Sequence, residues 1–315
     1  MTVGGMLAVV LSPSKIRYDA GRSLTKTKRI RAALTGCFSV FLALLLFVGV
    51  QVLAVAYSSR TIVYAAEQSF VYSPSTFSTN DSDRAIKSKV DPAQIQNIVD
   101  AWMKKYKQKA SVTILDTKTG ETLASAQSTK QYFTASIYKL YVAYAALQDI
   151  DSGKYDGSQE FLNGASRLEC ITKMVQFSDS PCAENMLNEM GKTALQNRLL
   201  LLGLTTTSLP IYMTSSSDAA LMTRKVALGE GLSPKSAQVL QTAMARQQHR
   251  TGLPAGFTNM QVSNKVGFSE KDWHDSANVA SKSGAVFTVS VFTENMRSPN
   301  IAELARLLQP LFEKA

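Results

Sequence analysis

The chain has 315 residues, is 45% hydrophobic and 18% charged, and carries a formal net charge of +10. That composition excludes a low-complexity or collagen-like chain and leaves room for one or two globular domains. The charge does not mark a nucleic-acid binder. Residues 1–90 hold eleven Lys or Arg against four Asp or Glu, and residues 91–315 hold twenty-three against twenty, so the folded part has no evident basic stripe.

Residues 1–31 read as a basic cytoplasmic tail ending in Lys26, Lys28, Arg29 and Arg31. Residues 32–59 carry no charge, and the run is long enough to cross a bilayer as a helix. We assign a transmembrane signal-anchor to residues 32–57. The preceding cations keep the N-terminus inside and export the rest. A cleaved signal peptide, with small residues such as Ala54 and Ala56 near its end, is the alternative; it would give a secreted rather than a membrane-bound protein. Residues 58–90, rich in Ser, Thr, Asp and Lys and without periodicity, read as a flexible linker.

The domain begins at residue 91. Asp91-Pro92 fits an N-cap and a first helical position. Ile95, Ile98, Val99 and Trp102 then recur at helical spacing. Val112 and Ile114 alternate with polar residues, "DTKTGE" turns and "TLASA" returns, which predicts a hairpin. Residues 134–148 are helical in pattern. Residues 166–202 are mostly helical, with breaks near Pro181 and Gly191. Ser217 or Asp218 is expected to cap the next helix, and Pro234 to open another reaching about residue 247. "MQVSNKVGF", "SANVAS" and "AVFTVSVFTEN" read as strands, "SKSG" as the turn between the last two, and the C-terminal end as an amphipathic helix. Cys170 and Cys182 lie in the exported part, where a disulfide can form; two small buried thiols would fit equally well.

Three short segments carry possible chemistry. In "TASIYKL", Ser136 and Lys139 are three apart, a spacing that puts both on one helix face. A serine hydroxyl is a weak nucleophile until a base takes its proton, and a lysine amine serves only if burial or other cations lower its pKa. A capping serine and a surface lysine give the same pattern, but Lys139 is the only charge between residues 131 and 148 and has aromatic and aliphatic neighbours. In "FSDSPCAENML", Ser178 could relay a proton, Asp179 could brace the loop, and Ser180 could bond a bound amide; an ordinary N-cap also explains the segment. In "SNKVGF", Lys265 could hold a carboxylate, and Gly267 could admit close approach of substrate to the strand. A solvent-facing edge lysine and a bulge glycine are the plainer alternative.

"SIYK", "SDS" and "KVG", in that order, resemble the SxxK, SDN and KTG motifs of the penicillin-recognising serine enzymes, which include class A beta-lactamases and D-alanyl-D-alanine peptidases. The flanks "ECITKMVQFSDSPCAENML" and "LPAGFTNMQVSNKVGF" extend the resemblance, which spans roughly residues 92–315. It implies an α+β, two-lobed domain over residues 91–315, with a five-stranded antiparallel sheet, flanking helices and an all-helical lobe. It implies Ser136 as the acylated nucleophile, Lys139 as its base and Ser178 as proton shuttle. Ser180, Lys265, Val266, Gly267 and Phe268 would bind substrate, with the amides of Ser136 and Phe268 as an oxyanion hole. Lys282-Ser283-Gly284 matches the third motif more literally, but lies in a turn rather than on a strand after "LPAG".

Three departures accompany the resemblance. Ser180 stands where the family has asparagine, Val266 where it has Thr or Ser, and residues 191–217 hold no Asp or Glu. Class A beta-lactamases keep a water-activating glutamate in that region, and nothing assigns the role to a distant residue such as Glu169. The expectation is therefore a membrane-anchored, exported serine acyl-transfer hydrolase acting on cell-wall D-alanyl-D-alanine peptides or beta-lactams. A class A beta-lactamase proper and a catalytically weak binding relative are the alternatives. No cofactor, metal or nucleic-acid partner is expected; His249, read at a helix end, and His274, read in a hairpin loop, have no zinc-type spacing.

Overall fold

The computed structural model describes residues 90–315. The expected tail, membrane anchor and linker lie outside the described residues. Among the described residues, no helix is long and apolar enough to cross a membrane.

Helix α1 (Pro92–Lys105) starts where Asp91 Oδ1 accepts a hydrogen bond from the Ala93 amide, with Pro92 in the first turn. Strands β1 (Ala110–Asp116) and β2 (Thr122–Ala126) form the expected hairpin. A helical lobe follows: α2 (Tyr138–Asp151), α3 (Arg167–Gln176), α4 (Ser180–Met190), α5 (Lys192–Leu201), α6 (Ser216–Leu228) and α7 (Pro234–Ala245). Strands β3 (Gln261–Phe268), β4 (Trp273–Ala280) and β5 (Val286–Thr293) complete an antiparallel sheet in the order β2-β1-β5-β4-β3, and α8 (Ser298–Phe312) closes the chain. Two short strand pairs, Tyr132–Phe133 with Met213–Thr214 and Glu160–Leu162 with Ala165–Ser166, lie in the connections.

Alternation along each strand divides the sheet into two faces. One carries Val112, Ile114, Val262, Ala277, Val279, Phe287, Val289 and Val291, and packs with Ile95, Val99 and Trp102 of α1 and with Ile301, Leu304, Leu308 and Phe312 of α8. The opposite face is polar and meets α6. Ser216 Oγ lies within hydrogen-bond reach of Ser111 Oγ and Thr113 Oγ1, Thr223 Oγ1 bonds Ser276 Oγ, and Asn278 Nδ2 donates to the Thr223 carbonyl. Small hydroxyls let helix and sheet approach closely, and most find partners there; Ser290 Oγ, on the same face, is buried without one.

Helix α2 runs through the centre of the helical lobe. Every residue from Tyr138 to Leu147 is buried, the mark of a helix enclosed on all sides. That enclosure carries Lys139 into the interior.

Two local expectations are corrected. Ser215, not Ser217 or Asp218, caps α6, its Oγ accepting from the Asp218 amide; Ser217 and Asp218 lie inside the first turn. His274 is in β4 rather than in a loop. The hairpin turn is confined to residues 269–272, Trp273 pairs with Phe268, and the His274 ring is buried against Phe292. Of the two readings left open for Cys170 and Cys182, the disulfide holds: it joins α3 to α4.

Candidate active site

Ser136 does not sit inside the long helix. It occupies a 3-10 turn, Ala135–Ile137, just before α2. Ala135 is held at φ 43, a conformation costly to a residue with a Cβ and persistent only where surroundings enforce it. The enforcement comes from β3. A Cβ on Gly267 would lie 2.7 Å from the Thr134 carbonyl oxygen and 2.9 Å from the Ser136 amide nitrogen. The glycine thus lets the strand press against the Ser136 turn; its first service is to protein packing rather than to a ligand. Ser136 is half-buried and opens onto a cleft of about 320 Å³.

Lys139 follows in the first turn of α2 and is 2% exposed. Its Nζ donates to the Ser178 carbonyl at 2.5 Å and to Ser180 Oγ at 2.9 Å. Burial lowers its pKa, against the opposing charges of Asp179 and Glu184. Lys265, fully buried on β3, donates to Ser178 Oγ at 2.9 Å and to the Val266 carbonyl at 2.9 Å. Burial drives its pKa well below the ordinary lysine value; the nearby Lys139 charge adds to the shift and Asp275 opposes it.

Ser178 joins the two lysines. The α3–α4 connection needs a sharp reversal, and Ser178 makes it in the left-handed region at φ 61. That conformation turns its carbonyl toward Lys139 and its hydroxyl toward Lys265. Asp179 then caps α4, its Oδ1 accepting from the Cys182 amide at 2.8 Å. The Cys170–Cys182 disulfide ties α3 to the first turn of α4, bracketing this connection.

The cleft has Ala135, Ser136, Lys139 and Ser180 in its floor, aromatic walls from Phe133, Tyr138, Tyr212 and Phe268, and the carboxylate of Glu184. Phe268 is 41% exposed, stacks on Trp273 at 4.7 Å and meets the edge of His249 at 5.0 Å. Val266 lies apart from this cluster: it is fully buried opposite Asp275, on the strand face that carries Val262 and Asn264. Lys282, Ser283 and Gly284 stand in the β4–β5 turn, where Ser283 bonds the C-terminal Ala315. Glu169 serves as the capping-box partner of Ser166 at the start of α3.

Sequence reasoning missed Glu184 and two of the aromatic walls, Tyr138 and Tyr212. Glu184 follows Ser180 by four residues, one helical turn, so its place on the Ser180 face of α4 could have been read from spacing. Tyr212 could not: it comes from the α5–α6 connection, brought beside Tyr138 by the two-residue pairing of Met213–Thr214 with Tyr132–Phe133.

A five-stranded antiparallel sheet with a helical lobe, and a serine-lysine pair beside a second serine and a strand lysine, define a class: the penicillin-recognising serine enzymes. The chain belongs to the beta-lactamase enzyme family, whose sequence profile matches residues 93–309. No curated protein matches it. Among solved structures, it is similar to the ancestral class A beta-lactamase of Gram-negative bacteria at 22% identity and TM-score 0.64, covering 69% of this chain and 100% of that one. A beta-lactamase from Desulfarculus baarsii gives 17% identity and TM-score 0.64, with 70% and 98% covered. PBP-A gives 20% identity and TM-score 0.63, with 70% and 97% covered.

Proposed function

We propose that this protein is a membrane-anchored, exported serine acyl-transfer hydrolase that attacks cell-wall D-alanyl-D-alanine peptides or beta-lactams through an acyl-enzyme on Ser136. The observation that carries the reading is the convergence of two buried lysine amines on Ser178 beside a serine that opens onto a cleft. A neutral Lys139 amine has two protons and one lone pair. Its two donations, to the Ser178 carbonyl and Ser180 Oγ, account for the protons and leave the lone pair to accept one from Ser136 Oγ.

In the reaction, Ser136 Oγ forms a bond to the substrate carbonyl carbon as its proton passes to Lys139. The C–N bond of the tetrahedral intermediate then breaks, and the leaving nitrogen takes a proton through the Ser178 hydroxyl. Lys265 orients that hydroxyl through its hydrogen bond; with Lys139 neutral the repulsion between the two lysines is relieved, and a protonated Lys265 has a third N–H for an incoming carboxylate. The main chain of β3, pressed against the Ser136 amide by Gly267, supports an oxyanion hole made of the Ser136 and Phe268 amides. Phe133, Tyr138, Tyr212 and Phe268 supply apolar walls for the acyl group.

The anchor reading draws on the uncharged run 32–57 behind a cluster of cations. It places the domain of residues 91–315 outside the cytoplasm on the linker 58–90, consistent with a disulfide in that domain. Release of D-alanine from an acyl-D-alanyl-D-alanine peptide, measured beside hydrolysis of a chromogenic cephalosporin, tests the activity. Turnover of either compound that disappears in Ser136→Ala supports the reading. Turnover that survives the substitution rejects it. Retention of the full-length chain in membranes washed with alkaline carbonate tests the anchor, and its release there rejects it.

A further inference from the structure

An acyl-enzyme is useful to a hydrolase only if water can remove the acyl group, and water attacks an ester slowly without a base to take its proton. The groups that activate Ser136 are poorly placed for a second task. Lys139 is engaged with Ser178 and Ser180, and Lys265 with Ser178 and its own strand. The segment 191–217 offers no carboxylate at all; what it brings to the cleft is the ring of Tyr212.

Among the described residues lining the cleft, Glu184 is the single carboxylate. It stands one turn beyond Ser180 on α4, and Ser180 Oγ itself accepts from Lys139. Its charge is felt by both Lys139 and Tyr138, the residues beside the nucleophile turn. It is solvent-exposed, and no hydrogen bond or ion pair to another described residue occupies its oxygens. A structural glutamate on this helix looks different: Glu189, five residues later, is spent on a two-point contact with the buried Arg167.

We propose that Glu184 is the general base that releases the acyl group from Ser136, an inference that rests on the reading of Ser136 as the nucleophile. A water between the two gives one proton to the Glu184 carboxylate while its oxygen bonds to the acyl carbonyl carbon. As the tetrahedral intermediate collapses, the bond from that carbon to Ser136 Oγ breaks, and Glu184 returns the proton to Oγ. The second hydrogen of the water leaves with the product acid. Serine hydroxyl and glutamate carboxylate are both regenerated.

The test follows acylation and release separately in the full-length protein, by mass spectrometry of quenched samples with an acyl-D-alanyl thioester as acyl donor. Glu184→Gln is expected to accumulate acyl-enzyme because release slows by about 100-fold or more, the scale of a lost general base, while acylation changes far less. In Glu184→Ala, added formate is expected to restore release, which a purely structural side chain would not permit. Equal release rates in wild type and Glu184→Gln would overturn the role of Glu184 and leave Ser136 standing. If the wild-type protein forms no adduct on Ser136, the nucleophile assignment itself fails, and this inference with it.

Discussion

Replacing Gly267 by alanine should displace the turn that carries Ser136, the proposed nucleophile, while leaving the domain folded. An ideal Cβ there would meet the Thr134 carbonyl oxygen at 2.7 Å, the Ser136 nitrogen at 2.9 Å and Ile137 Cγ1 at 3.0 Å. Ordinary contact begins near 3.4 Å, so strand and turn must separate by roughly half an ångström or more. Two of the three obstructing atoms belong to the backbone and cannot rotate away. Overpacking of this size costs about 1–3 kcal/mol, within the stability of a typical domain. Catalysis is less forgiving, since a displacement near 1 Å can cost about 100-fold in rate. Gly267→Ala is therefore expected to slow acylation by a labelled penicillin about 10- to 100-fold, with a modest fall in melting temperature. Gly256→Ala is the control. Its Cβ would press on the Ala302 carbonyl and Ala305 of α8, away from the cleft, so it should destabilise the fold without slowing acylation by the folded protein. Acylation by Gly267→Ala within twofold of wild type would show that the strand does not hold the turn as described.

Three further outcomes are expected. Removing the disulfide with the double change Cys170→Ser and Cys182→Ser should lower stability by roughly 3 kcal/mol, the usual scale for a loop of this size. Because the loop contains Ser178, labelling should slow as well; unchanged melting and labelling would refute this. Burial holds the Lys139 pKa below the ordinary lysine value, and in the proposed mechanism the acylating form carries a neutral amine. Acylation should therefore rise with pH and level off below pH 10.5, whereas a rate that falls as pH rises would contradict the assigned role. Asp275 is fully buried, and desolvation raises its pKa from 3.8 to about 7, against hydrogen bonds from Asn264 and the Leu253 amide and the charges of Arg250 and Lys265. A raised folded pKa stabilises the protein most below about pH 4, and that contribution is lost as pH climbs through 7. The neighbouring His274, lowered to about 4 by burial, works in the opposite sense between about pH 4 and 6.5. The unfolding free energy of wild type should thus fall relative to Asp275→Asn between pH 4 and 7, and parallel curves would exclude the effect.

Much of the architecture was legible in the sequence because it rests on local rules. Asp91-Pro92, the alternation of Val112 and Ile114, and the break before Pro181 each announce an element through capping, strand period or turn chemistry. Errors arose where tertiary contacts decide. His274 reads as a loop residue beside "EKD", yet the sheet extends to Trp273 because its ring stacks on Phe268. Ser215 outcompetes Ser217 as a cap because α6 begins where it meets Ser111 and Thr113 of β1. The same distinction runs through the cleft. Spacing could relate Ser136 to Lys139, but not reveal that Lys139 would bond Ser178 and Ser180 across 39 and 41 residues. Val266 and Gly267 followed the third motif as one unit, and the strand's alternation separates them: Gly267 faces the nucleophile turn, Val266 the opposite side.

The central claim is that Ser136 is the hydroxyl this cleft activates. Treating the full-length protein and its Ser136→Ala variant with benzylpenicillin, then mapping the adduct by peptide mass spectrometry, tests it most directly. The account predicts one penicilloyl group per chain, on the peptide that contains Ser136, and none in the variant. An unmodified wild-type chain, or equal modification of the variant, would contradict it.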